Sequence, residues 1–313
     1  KCLTTRATAN APFQKSEPAL LKHQVVERRQ PTHLNSLMPS LASPTAFAMF
    51  AVGLLALLGL DLALTQRTPH APSVREALLE TLGWVTVASL FGLGIFHFYG
   101  AEAGLQFATG YVLEKALSVD NLFVMLVVMR AFAVPTSQQH RVLFWGVLGA
   151  VVLRSVFVFA GAALVARFHS VLLLFGVFLV VTGLRLALQK DHEVHPENNI
   201  AVRLLKRFMP VSTDPHASTF FVWREGVRHV TPLLLALITV EVTDVIFAVD
   251  SIPAVFAVTQ DPFLVLTSNL FAVMGLRALY FVLAEVMQRF VFLKYGLAAV
   301  LVFVGGKMLL APW

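Results

Sequence analysis

Charge is what this sequence has least of. Asp, Glu, Lys and Arg make up 13% of its 313 residues against 57% hydrophobic, and the mean hydropathy is +0.75. A soluble domain carries about a quarter charged residues, so a soluble fold is excluded. Cysteine is scarcer still. Cys2 stands alone, which rules out a disulfide framework and a thiolate metal site and says nothing about redox compartment. Alternating ten-residue segments are missing too, which excludes a transmembrane barrel.

What the chain does have is long apolar runs. A hydrocarbon core of about 30 Å asks for about twenty apolar residues per helix, and eight runs qualify: 45–64, 81–99, 104–130, 140–165, 170–189, 230–258, 263–287 and 291–310. The expected fold class is all-α, a polytopic transmembrane helix bundle of about eight spans. The formal charge of +6 could suggest nucleic acid, but the basic residues sit mostly in connections, so membrane topology explains them better. If each run spans once, one set of connections holds Arg67, Arg75, Arg130, Arg141, Lys190, Arg203, Lys206, Arg207, Arg224, Arg228, Arg289 and Lys294. The opposite set has Arg167 alone. The positive-inside bias therefore puts the first set, with the long 190–229 connection, in the cytoplasm and both termini outside. Within that connection NNIAVRLLKRFMPV suits a helix at the interface or a solvated linker helix.

Residues 1–37 hold no methionine, begin at Lys1 and carry Arg6, Lys15, Lys22, Arg28 and Arg29 against only Glu17 and Glu27, unlike the rest. They are expected outside the fold, as read-through or vector-derived sequence, or alternatively as an organellar transit peptide. The expected division is a disordered or extraneous tail over 1–44 and one transmembrane domain over 45–310.

The acids that remain are oddly placed. TVEVTDVIFAVDSIP, residues 239–253, carries Glu241, Asp244 and Asp250 inside an apolar run. EKALSVDN (114–121) and DVIFAVDS (244–251) share a carboxylate, five residues, a second carboxylate and a small polar side chain. The next run in each half carries Arg154 or Arg277 in similar surroundings, and the run after that ends GLRLAL with Arg185 or GGKMLL with Lys307. Three spans per half thus correspond, as repeat one (104–189) and repeat two (230–310). An odd number of spans per copy inverts the second, a plan of secondary transporters with the site near the midplane. Glu114 and Asp120 are then expected to face Asp244 and Asp250.

Each ionised acid at the bilayer centre costs about 2.5–3.5 kcal/mol on insertion scales. Arg154 and Arg277, read as structural ion-pair partners, neutralise two of the five; the rest must be protonated, shared or occupied by cations. Glu114 and Asn121 share a helix face, as do Asp244 and Ser251, with Glu241 one turn from Asp244. The second acid of each repeat lies off that face, so a broken, discontinuous acidic helix is expected, with Pro253 as the break in the second half. The candidate metal ligands are Glu114, Asp120, Asn121, Glu241, Asp244, Asp250 and Ser251. Oxygen donors without Cys or His suit Mn²⁺, Mg²⁺ or Ca²⁺ over Cu⁺ and Zn²⁺. Met125 and Met129 read as packing, with a soft ligand favouring Mn²⁺ as the alternative. Asp61 reads as a cap or interfacial residue, and Glu102 and Glu285 as solvated ends.

YVLEKALSVDNLFV, HVTPLLLALITVEVTDVIFAVDSIPAVFAVT, SNLFAVMGLRALYFVL and KYGLAAVLVFVGGKMLL closely resemble the TerC family of integral membrane proteins, over about residues 45–310. The resemblance implies a membrane protein named for tellurite resistance loci, with alkali-induced members implicated in manganese efflux, a placement among LysE-type exporters and a plant member linked to thylakoid biogenesis. The family's acidic motifs fall on Glu114, Asp120, Glu241, Asp244 and Asp250. Tellurite is an anion that an acid-lined site repels, so that link is indirect.

The expected function is export of a divalent cation, Mn²⁺ first and Ca²⁺ second, across the cytoplasmic membrane by alternating access, with protons as the exchange partner. The metal is substrate; no cofactor is expected. The alternative is a membrane-biogenesis or protein-insertion factor whose acids are structural; separately, the location would be the thylakoid membrane if 1–37 is a transit peptide. An enzyme is not expected: an intramembrane aspartyl protease would need a Gly-x-Gly-Asp motif, which the sequence lacks.

Overall fold

The computed structural model describes residues 41, 43–65, 73–168, 170–188, 200–212, 219–224, 226–286 and 293–310. The tail at 1–37 lies outside them. The described chain is mostly helical: α1 (Pro44–Thr65), α2 (Val74–Tyr99), α3 (Ala101–Ala131), α4 (Thr136–Arg167), α5 (Val171–Leu188), α6 (Ile200–Phe208), α7 (Pro232–Phe256), α8 (Pro262–Met274), α9 (Leu276–Val286) and α10 (Leu293–Leu310). One antiparallel hairpin, β1 (Phe221–Arg224) with β2 (Val227–Val230), precedes α7.

Helix starts follow local chemistry. Ser73 and Glu76 form a capping box on α2, with the Glu76 carboxylate accepting from the Ser73 N–H at 2.8 Å. Asp261 caps α8, accepting from the Phe263 and Leu264 N–H groups, and Pro262 fits the first helical position, where no amide donor is needed.

Among the described residues four helices (α1, α2, α4, α7) are long and apolar enough to cross a membrane, or five if the bent pair of α8 and α9 is one span. α3 is 31 residues long but carries Glu102, Glu114, Lys115, Asp120 and Arg130. The two acidic helices are not discontinuous. α3 runs without a break, and α7 continues through Pro253 to Phe256. Pro253 removes one backbone hydrogen bond, the one to the Val249 carbonyl, and α7 continues three residues beyond it. The bend falls instead at Gly275, where α8 and α9 meet at 45°.

The packing is centred on α3 and α7, which touch each other. α3 also lies on α8, α7 lies on α4, and α5 pairs along its length with α10. Phe50, Phe91, Phe107, Phe263 and Phe271 interlock α1, α2, α3 and α8, with neighbouring ring centroids 4.9–6.4 Å apart. Polarity is distributed inside out. Glu114, Ser118, Asn121, Arg154, Asp244, Ser251 and Asn269 are buried, while Leu55, Leu90, Val152, Val156, Leu174 and Phe303 stand exposed. Such an exterior matches hydrocarbon and such an interior must satisfy its own polar groups.

Candidate functional site

Helical spacing puts Glu114, Ser118 and Asn121 of α3 on one face, and Asp244 and Ser251 of α7 on another. The two faces meet at Arg154 of α4, whose side chain is 0% exposed. Its Nε and Nη2 donate to the two oxygens of Asp244 at 3.0 and 2.7 Å, a bidentate fork. Nη1 donates to Glu114 Oε1 and, at 3.1 Å, to Asn269 Oδ1 of α8. Ser251 Oγ donates to the same Glu114 oxygen at 3.3 Å. Four helices therefore converge on one guanidinium, a group that stays charged and has five donors to distribute.

The second acid of EKALSVDN and that of DVIFAVDS both line a cavity beside this cluster. Asp120 and Asp250 line one cavity of about 270 Å³ with Asn121, Ser251, Thr182 and Arg185. Its walls come from α3 and α7 and from the α5–α10 pair, which adds Leu301. Ser251 belongs to both places, lining the cavity and holding Glu114. Several acceptors here lack donors: Glu114 Oε2, Ser118 Oγ and Asn121 Oδ1 are buried with no hydrogen-bond partner among the described residues.

The seven candidate ligands thus divide. Asp120, Asn121, Asp250 and Ser251 share the cavity; Glu114 and Asp244 share Arg154. Glu241 joins neither set, though it lies one turn from Asp244; its carboxyl is pressed on Gly149 of α4, where a Cβ would collide with it, and its buried Oε2 has no partner among the described residues. Among the described residues no three acidic, histidine or cysteine side chains cluster closely enough to hold a metal ion. Met125 and Met129 are core residues.

Arg277 is an ion-pair partner, but not of the repeated acids. It pairs with Asp61 of α1, Nη2 to Oδ1 at 2.9 Å, and with Glu80 of α2. The bend at Gly275, two residues earlier, turns α9 toward α2, whereas α4 runs straight through Arg154. At the same bend Lys115 Nζ donates to the Ala272 carbonyl at 3.1 Å, one of the four that a helix end leaves without an intrahelical donor.

Sequence reasoning missed Ser118, Asn269, Glu80 and Lys115. Ser118 completes the spacing of Glu114 and Asn121, and Asn269 is a lone amide in the apolar run FLVLTSNLFAVM, so both left a signal.

A profile described as the integral membrane protein TerC family matches residues 99–313. The chain is similar to a membrane protein of Myxococcus xanthus, STKORF319, at 48% identity over 270 residues, 86% of this chain and 85% of the relative. It is also similar to proteins provisionally named membrane-bound redox modulator Alx. That of Photorhabdus laumondii is 49% identical over 282 residues, 87% of this chain and 88% of the relative. That of Escherichia coli K12 is 45% identical over 285 residues, 88% of this chain and 89% of the relative. No solved structure matches the chain.

Proposed function

This chain belongs to the TerC family of integral membrane proteins, and on that premise we propose that it exports a divalent metal cation, Mn²⁺ foremost, by alternating access through the Asp120–Asp250 cavity. One observation carries the reading: the two acids that occupy equivalent places in EKALSVDN and DVIFAVDS line a common cavity, with the amide of Asn121 and the hydroxyl of Ser251 beside them. Two carboxylates, an amide oxygen and a hydroxyl make an all-oxygen set, and a hard cation that keeps several of its waters needs no more from the protein. Arg154 holds Glu114 and Asp244, so these act as the frame of the site, and the cavity acids remain for the ion.

The span count and the repeat are part of the proposal. α1, α2, α3, α4, α5, α7, the α8–α9 pair and α10 would each cross once, with α3–α5 and α7–α10 as inverted copies. The packing supports this. α3 lies on α8 as α7 lies on α4, while α3 meets α7 and α5 meets α10, the set of contacts a twofold axis between the copies generates. The bacterial relatives favour the cytoplasmic membrane and leave the thylakoid alternative without support. Protons, carried by the same carboxylates, are the coupling ion of the reading. The redox role in the name of the Alx relatives would run here without a dithiol couple, since Cys2 is the sole cysteine; efflux of a redox-active metal is one route to it.

The alternative, a biogenesis factor with structural acids, draws on the fully buried Arg154 cluster. Mn²⁺ flux in proteoliposomes decides between them. Asp120→Asn and Asp250→Asn are each expected to lower the initial rate at least tenfold, roughly 1.4 kcal/mol of lost stabilisation at the cavity. An imposed proton gradient should drive flux in the wild type. Undiminished rates in both variants would remove these acids from transport.

A further inference from the structure

A second surface lies away from the cavity. α6 reads IAVRLLKRF, with three cations and no anion. The helical repeat of 3.6 residues sorts it into three faces. Val202 is fully buried and Leu205 partly so, against the core. Leu204 and Phe208, one turn apart, are 53% and 73% exposed on the next face. Arg203, Lys206 and Arg207 are exposed on the third.

The path of the chain fixes where this helix sits. Just beyond it Val211 bridges to Val230; the Val230 N–H donates to the Pro210 carbonyl at 3.0 Å and the Ser212 N–H to the Val230 carbonyl at 2.8 Å. α7 begins two residues later, at Pro232. α6 is therefore tied to the end of α7, at the level where that apolar helix leaves the hydrocarbon. The hairpin tied to the same end presents Trp223, 72% exposed, a residue type that gathers at membrane interfaces.

We propose that α6 is a docking platform for acidic phospholipids, with Leu204 and Phe208 among the acyl chains and Arg203, Lys206 and Arg207 at the phosphate level. The two exposed faces adjoin, as the two levels of a leaflet do, and the third is already occupied by the protein. Three like charges within about one turn repel one another unless counter-charge is supplied. Zwitterionic headgroups supply no net charge, whereas anionic ones do, at roughly fivefold in partition per basic residue. The platform is independent of the cavity reading, since no residue is shared.

The test uses the full chain with Cys2→Ser and Leu204→Cys, labelled with an environment-sensitive fluorophore and reconstituted in phosphatidylcholine bilayers. Trace phosphatidylglycerol or phosphatidylcholine with a quencher on the acyl chain is then added. The expected result is shielding from aqueous iodide and several-fold stronger quenching by phosphatidylglycerol than by phosphatidylcholine. R203Q/K206Q/R207Q is expected to abolish that preference, and raised salt to reduce it with the basic residues intact. Free access of iodide would overturn the platform by placing α6 in water. Equal quenching by both lipids would overturn the acidic preference. Suppression of the preference by inorganic phosphate at low concentration would overturn it in favour of a soluble-anion site.

Discussion

Arg154→Met is expected to cost about 3–5 kcal/mol, because it strands Glu114 and Asp244 as buried charges without their shared cation. A typical net stability is only about 5–15 kcal/mol, so the variant should melt far below the wild type or fail to accumulate. The size of the loss does not measure what the ion pairs contribute, since most of it is the penalty on the acids left behind. A compensated variant separates the two. R154M/E114Q/D244N removes the charges together and is expected to regain most of the lost stability, as neutral replacement of a buried charged triad is often nearly free. Thermal unfolding in detergent, followed by loss of the monodisperse species, reads both variants. Wild-type melting of Arg154→Met alone would show that the guanidinium compensates nothing. A triple variant no better than the single one would move its role to Asn269 and to packing among α3, α4, α7 and α8.

How far this centre could be read beforehand depends on which interactions leave a periodic trace. The eight apolar runs became helices within a few residues at most ends, one of them bent at Gly275, because a helix satisfies its own backbone hydrogen bonds along a continuous apolar run. That Glu114 and Asp244 share Arg154, and that Asp120 and Asp250 line one cavity, has its trace in EKALSVDN and DVIFAVDS, which carry the same residue types at the same spacing. The pairing of Arg277 left no such trace, because its place in the pattern equals that of Arg154 while its direction is set by a bend at Gly275 that composition alone does not announce. Pro253 misled for the opposite reason: proline announces a break, but it removes a single hydrogen bond and α7 runs on through it to Phe256. Glu241 looked like a member of the site from its spacing to Asp244, and Gly149 on the facing helix, invisible to that spacing, is what receives its carboxyl. The hairpin went unread among short polar-apolar alternations, though Gly226, at φ +76°, marks the turn that only glycine adopts without strain.

Two neighbouring glycines of α10 should respond to the same substitution with opposite signs. At 305 a Cβ would lie 2.8 Å from the Gly176 carbonyl oxygen of α5 and 2.9 Å from Leu179 Cβ and Val180 Cγ2; at 306 it would meet nothing within 4 Å. Alanine in a helix gains up to about 1 kcal/mol over glycine, so Gly306→Ala should melt slightly higher than the wild type. Gly305→Ala gains the same propensity but must push a backbone carbonyl, which no rotamer change relieves, and overpacking of this kind costs about 1–3 kcal/mol. Gly305→Val should lie at the upper end of that range. The close approach of α5 and α10 also sets the outer wall of the cavity, since Thr182, Arg185 and Leu301 come from these helices. Forcing them apart moves that wall away from Asp120 and Asp250, so Mn²⁺ flux should fall in Gly305→Ala and hold in Gly306→Ala. Melting temperatures and proteoliposome flux on the pair test this together. Equal melting of the two alanine variants would mean that α5 and α10 have room to part, and the cavity would then lack the fixed wall that the proposed ion site of Asp120, Asn121, Asp250 and Ser251 requires.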